Sequence, residues 1–239
     1  MKKCHTKSIK TGGIYKMQVF YIDPIKGIHY DIKYMEDSGM SIALSFCTTE
    51  RCYIGTDSRC IRTDIATRHR YIDDHYKKIH YFPDRNTLIG ITGKTTFQTE
   101  KGWREIDEII REALNLSALS VCETLKNITK TLYLEPLERT NLHVYHAEDG
   151  IMRASYFELS YQECYEVYKV MNNTVRISGI PYTMSDQEVI SIIQHPFKAI
   201  PKAIQKCIDD HKDEQIAPVG GAIQFCCMDA RGKLIPVTF

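Results

Sequence analysis

The chain lacks any run of the ~20 consecutive apolar residues that a membrane-spanning helix needs. It also lacks an excess of charge, with 31 Lys and Arg against 30 Asp and Glu. The first absence argues against a helical membrane span. The second argues against a field that would gather nucleic acid or a charged membrane surface. The basic start, Met1-Lys2-Lys3, has no apolar stretch behind it, so no secretory signal is expected. Nine cysteines are present, at positions 4, 47, 52, 60, 122, 164, 207, 226 and 227, and none forms a C-x-x-C pair. That removes the usual zinc and dithiol readings. Scattered and set in apolar strand-like runs, they are expected to be free buried thiols in a cytoplasmic protein. Repeats, linkers and low-complexity runs are missing too, which points to one domain behind a prefix of residues 1–40.

What is present begins with a hairpin. Ile42–Cys47 and Cys52–Thr56 are short apolar strands around a turn at Thr48–Arg51, and the polar trio Asp57-Ser58-Arg59 follows. Before it, Ile14–Ile22 and Ile28–Tyr34 alternate weakly around Asp23-Pro24. After it, residues 62–74 are polar and suggest an exposed loop. Strands are expected at Tyr76–Phe82 and Thr87–Thr92, separated by Pro83-Asp84-Arg85-Asn86. From Thr95 the apolar spacing becomes mostly three and four, through Phe97, Trp103, Ile106, Ile109, Ile110, Ala113 and Leu114, which predicts a helix. A second helix is expected over Ala118–Leu134, with Ser117 and Ser120 as capping candidates. Strands return at Asn141–His146, Ile151–Leu159, Tyr165–Met171 and Thr174–Ile177. Helices over Asp186–Gln194 and Phe197–Lys212 follow, then strands Ala222–Met228 and Lys233–Phe239. Strands, a helix pair, strands, a helix pair and strands predict an α+β protein. Its layout is a four-layer α-β-β-α sandwich of two antiparallel sheets flanked by helix pairs.

Three local patterns invite chemistry and carry little. His69, Asp73, Asp74 and His75 lack the spacing that would aim them at one metal. Gly93-Lys94-Thr95 suggests a phosphate loop, but the glycine needed five positions earlier is Leu88. His143 and His146 alternate with apolar residues and are expected at a surface or edge. Neither a metal nor a cofactor is therefore expected.

The order of motifs resembles the proteasome subunit family of N-terminal-nucleophile hydrolases. Ile54-Gly55-Thr56-Asp57-Ser58-Arg59 is similar to that family's G-A-D-S-R signature. Lys77-Lys78-Ile79 and then Leu88–Gly93 resemble its lysine-bearing strand and the next strand, which ends in glycine. Val219-Gly220-Gly221-Ala222 and Asp229-Ala230-Arg231-Gly232 resemble its closing S-G-G strand and D-G hairpin. The likeness runs over residues 41–239.

The resemblance implies a threonine-type peptidase with serine in the nucleophile's place. Ser41, freed by removal of residues 1–40, would attack a peptide carbonyl. Its α-amino group, with a pKa of ~8, would act as base. Lys78 would lower the pKa of the nucleophile, Asp57 would hold Lys78, Gly93 would offer its N–H to the oxyanion, and Ser178 would stand near the free amine. Peptide or protein substrates, a homo-oligomeric ring or dimer, and an ATPase partner are also implied. Three positions depart from the pattern: Ile216 replaces an aspartate, Val219 the serine of S-G-G, and Met40 the glycine before the cleavage point, although Gly39 is adjacent. Two other readings stay open, a non-catalytic subunit that assembles or binds a partner, and a hydrolase of small amides. Blander roles also stay open for single residues: Asp57 pairing with Arg59, and Lys78 as an exposed edge residue.

Overall fold

A computed structural model describes residues 14–23, 27–36, 41–63, 70–132, 134, 138–160, 163–169, 173–180, 182–214 and 217–237. In chain order the first strands are β1 (Ile14–Asp23), β2 (Gly27–Glu36), β3 (Ile42–Cys47), β4 (Arg51–Asp57), β5 (Cys60–Thr63) and β6 (Arg70–Asp73). Next come β7 (Ile79–Phe82), β8 (Thr87–Gly93), β9 (Thr96–Thr99) and β10 (Gly102–Glu105), then α1 (Ile106–Leu116) and α2 (Val121–Thr129). The second half holds β11 (Thr140–Glu148), β12 (Ile151–Ser160), β13 (Glu163–Lys169), β14 (Thr174–Gly179), α3 (Asp186–Gln194), α4 (Pro196–His211), β15 (Ile223–Asp229) and β16 (Leu234–Ile235).

Among the described residues every strand pair is antiparallel. A seven-stranded sheet runs β16-β15-β4-β3-β14-β1-β2, and a five-stranded sheet runs β13-β12-β11-β8-β7. The period of two along each strand divides the side chains between two faces. Ile42, Leu44, Val175 and Ile177 of the first sheet pack on Val189, Ile192, Ile200 and Ile204 of α3 and α4. Ile89, Ile91, Leu142 and Val144 of the second pack on Ile106, Ile110, Leu125 and Ile128 of α1 and α2. A third cluster joins Cys52 and Ile54 of the first sheet to Ile79, Leu88 and Tyr145 of the second. The fold is thus α+β, with each sheet carrying its own helix pair.

Local chemistry explains where the elements begin and end. Ser120 caps α2 in a capping box with Glu123, so that helix starts at Val121 rather than Ala118. The helix expected from Thr95 begins only at Ile106. Residues 96–105 form the β9–β10 hairpin instead, with Gly102 at φ +94° and Lys101 N–H bonded to Thr99 Oγ1 at 3.2 Å. β-branched Thr95, Thr96 and Thr99 favour that extended path. The apparent stripe misleads there: Phe97 is buried while Trp103 is 55% exposed. The expected loop at 62–74 is pinned at its ends by β5 and β6. The strand expected from Tyr76 starts at Ile79, because the Gln224 side chain takes the Lys78 and Ile79 N–H groups, at 2.9 and 3.3 Å.

Seven cysteines of the described residues are in no disulfide, and four of them, Cys47, Cys52, Cys207 and Cys227, are buried. No described helix is long and apolar enough to cross a membrane. Ile204 is fully buried on α4 and Leu116 is 80% exposed at the end of α1. By chemical denaturation Ile204→Ala should cost about 2–5 kcal/mol. Leu116→Ala should stay within about 0.5 kcal/mol.

Candidate active site

Ser41 stands immediately before β3, and Asp57 closes β4. Antiparallel pairing of Ala43 with Thr56 brings these two ends together. Lys78 precedes β7, where the Gln224 bonds hold its backbone. Its ammonium donates to Ser41 Oγ at 2.6 Å and to Asp57 Oδ1 at 2.7 Å. Asp57 Oδ1 also accepts from Ile42 N–H at 3.0 Å and faces Ser41 Oγ at 3.3 Å. Asp57 Oδ2 accepts from Gly220 N–H at 3.1 Å. The three residues are all but fully buried, at 1% (Ser41), 0% (Asp57) and 2% (Lys78) exposure. Burial pushes the Lys78 pKa down, and the neighbouring Asp57 carboxylate opposes that shift. A serine oxygen beside a buried cation is a hydroxyl whose anion is stabilised in advance.

The exposed-edge role for Lys78 and the Asp57–Arg59 pairing are both overturned. Arg59 turns to Asp74, with Nε–Oδ1 at 2.6 Å and Nη2–Oδ2 at 2.9 Å. Its Nη1 donates to Ala217 O at 3.2 Å. The backbone N–H groups of Ser58 and Arg59 donate to Gly220 O, at 3.2 and 3.0 Å. Arg59 therefore clamps the turn that presents Gly220 N–H to Asp57.

Gly93 ends β8 at φ +88°, where an added Cβ would lie 2.1 Å from Arg139 O. Ser178 is not joined to Ser41. Its hydroxyl lies 2.7 Å from His143 Nε2 and 3.1 Å from Thr92 Oγ1. The connection to Ser41 is made next door, where Ile180 N–H donates to Ser41 O at 2.8 Å. Gly179, at φ +101°, permits this approach, since a Cβ there would sit 1.8 Å from Ser41 O.

His143 is not at a surface or edge. It is 1% exposed, and its Nδ1 lies 2.7 Å from Ser45 Oγ. Asn141, His143 and Tyr145 lie on the face of β11 turned toward the first sheet. Their alternation with Leu142 and Val144 marks two buried faces of different polarity. Sequence reasoning missed His143, Ser45, Gly179 and Gln224. The available signal was the polar alternation shared by Ser41/Ser45, Asn141/His143 and Arg176/Ser178.

His69 and Ile216 lie outside the described residues, as does the Met40 side of the Met40–Ser41 bond. Asp74 is engaged by Arg59 and Asp73 Oδ1 accepts from His75 N–H at 2.9 Å. No group of three or more His, Cys, Asp or Glu among the described residues could hold a metal ion. Lys94, from the apparent phosphate loop, pairs with Glu138 at 2.6 Å.

No protein-family model matches the chain, and no curated protein is significantly similar to it. Among solved structures it is similar to the Anbu (Gly-1) mutant from Hyphomicrobium sp. strain MC1. The two are 11% identical, with a TM-score of 0.48, over 82% of this chain and 85% of that one.

Burial, and secondarily the Arg176 charge, push the His143 pKa from 6.5 down to about 3. Between those values the unfolded chain binds a proton that the native chain refuses. Stability should therefore fall as the pH is lowered through this window, by up to about 1.4 kcal/mol per pH unit. Denaturant titrations from pH 7 to 4 should show a shallower decline for His143→Gln than for the parent chain.

Proposed function

We propose that the chain is a proteasome-like peptidase whose nucleophile is Ser41. The supporting observation is the Lys78 ammonium shared between Ser41 Oγ and Asp57 Oδ1, at 2.6 and 2.7 Å, with all three residues buried. The sequence resemblance of residues 41–239 supplies the class of reaction. The three apolar clusters support reading the two sheets and two helix pairs as four layers. In this reading residues 1–40 are the prefix that cleavage separates from Ser41.

In the uncut chain the Ser41 nitrogen is a peptide nitrogen, whose lone pair is delocalised into the carbonyl and does not take a proton. Cleavage of the Met40–Ser41 bond would create an amine there. That amine would take the Ser41 Oγ proton as the oxygen adds to a substrate carbonyl carbon. Lys78 would stabilise the attacking oxygen and Gly93 N–H the oxyanion. Collapse would form an ester on Ser41 and release the substrate's amine, protonated by the ammonium. Water would then hydrolyse the ester. Peptide substrates, a ring or dimer of identical chains, an ATPase partner and a cytoplasmic location belong to the same proposal.

A second reading is favoured by Val219, which is buried where the resemblance calls for a serine. It is a non-catalytic subunit that keeps residues 1–40 attached.

Intact mass separates the two. The first predicts a species beginning at Ser41 that reacts at Ser41 with a sulfonyl fluoride. Ser41→Ala should abolish that reaction, and Lys78→Ala should slow it about 100-fold or more. A persistently full-length chain with no labelling at Ser41 would leave the non-catalytic reading standing.

A further inference from the structure

His143 links the two sheets beside the proposed site. From β11 its ring meets Ser45 of β3 through Nδ1 and Ser178 of β14 through Nε2, each at 2.7 Å. Tyr156 packs edge-on against the ring, with centroids 5.1 Å apart. Burial keeps the ring neutral. A neutral imidazole has one N–H and one lone pair. The two serines therefore take opposite roles, one donating to the ring and the other accepting from it.

Ser178 is fixed from its other side as well. Its hydroxyl meets Thr92 Oγ1 at 3.1 Å, and Thr92 Oγ1 accepts from Asn141 Nδ2 at 3.3 Å. Tyr156 OH donates to Asn141 Oδ1 at 2.7 Å. Buried hydrogen-bond chains of this kind reinforce one another. Ser178 pairs in register with Ala43, two residues from Ser41. Two residues beyond Ser178, Ile180 N–H holds the Ser41 carbonyl at 2.8 Å.

We infer that His143 is a positioning residue for Ser41: it orients Ser178 and, through the segment Ser178–Ile180, keeps Ser41 against Lys78. The inference rests on the reading of Ser41 as nucleophile. His143 contacts none of Ser41, Asp57 and Lys78 and acts only through Ser178.

That dependence makes a double-mutant cycle the test. The rate measured is labelling of Ser41 by phenylmethanesulfonyl fluoride in the chain as expressed, with the site located by peptide mass. Ser178→Ala and His143→Leu should each slow labelling about tenfold, the rate equivalent of one lost hydrogen bond. The double variant should be no slower than Ser178→Ala alone. His143→Gln, which keeps a donor and an acceptor, should restore most of the rate. If His143→Leu does not fold, Ser45→Ala replaces it in the cycle with the same expectation, since it removes only the ring's other anchor.

Multiplicative losses in the double variant, unchanged rates in the single ones, or no rescue by Gln would overturn the inference while leaving Ser41 as nucleophile. No labelling of the parent chain at Ser41 would overturn both.

Discussion

A lysine ammonium stripped of water and shared by one carboxylate and one hydroxyl holds this site together. Moving Lys78 and Asp57 out of solvent is costly, and such a pair persists only when every lone pair and proton around it is used. Here the carboxylate is saturated. Lys78, Ser41 and the Ile42 N–H converge on one oxygen, and the Gly220 N–H takes the other. Three strands are thereby bounded where they must be: β3 begins just after Ser41, β4 stops at Asp57, and the approach to β15 passes through Gly220. Arg59 serves this geometry at one remove, by gripping the carbonyls of the turn that carries Gly220.

The space between the sheets has two halves. One is apolar, built on Cys52, Ile54, Leu88 and Met152. The other is polar, built on Ser45, His143, Ser178, Thr92 and Asn141. An apolar interior on both halves would bury more surface favourably. The polar half gives direction instead, because hydrogen bonds fix rotamers where dispersion contacts tolerate sliding. Ser41 lies at the polar end.

Much of the fold was legible in the sequence, for identifiable reasons. Ile42–Cys47 and Asp186–Gln194 have the boundaries their patterns predict, the latter through the Ser185 capping box. Helix α1 was placed too early because Phe97 and Trp103 mimic a helical stripe while lying on opposite faces of a hairpin. At the site, the family resemblance implied Ser41, Asp57 and Lys78, and the geometry brings these three side chains together. Ser178 was legible as a residue but not as a partner of His143. Alternation of polar and apolar side chains is the ordinary mark of a half-exposed strand. Only tertiary structure shows that the second face of β11 is covered. Gly179 was invisible for another reason: its role is a backbone approach to the Ser41 carbonyl, which no side-chain pattern records.

The seven-stranded sheet places β14 between β3 and β1, with Val19 and Phe20 of β1 paired to Arg176 and Val175. The chain reaches Ser41 only after β1 and β2 have joined the far side of β14. Cutting the Met40–Ser41 bond would thus sever a connection without removing a structural member. The hairpin would remain as a bound fragment, seated by main-chain hydrogen bonds beside the strand that braces Ser41. Such a protein would migrate as intact in its native state and separate into two pieces only in denaturant. Departure of the fragment would then be a dissociation step with its own rate, and it would expose the open edge of β14 to a new strand.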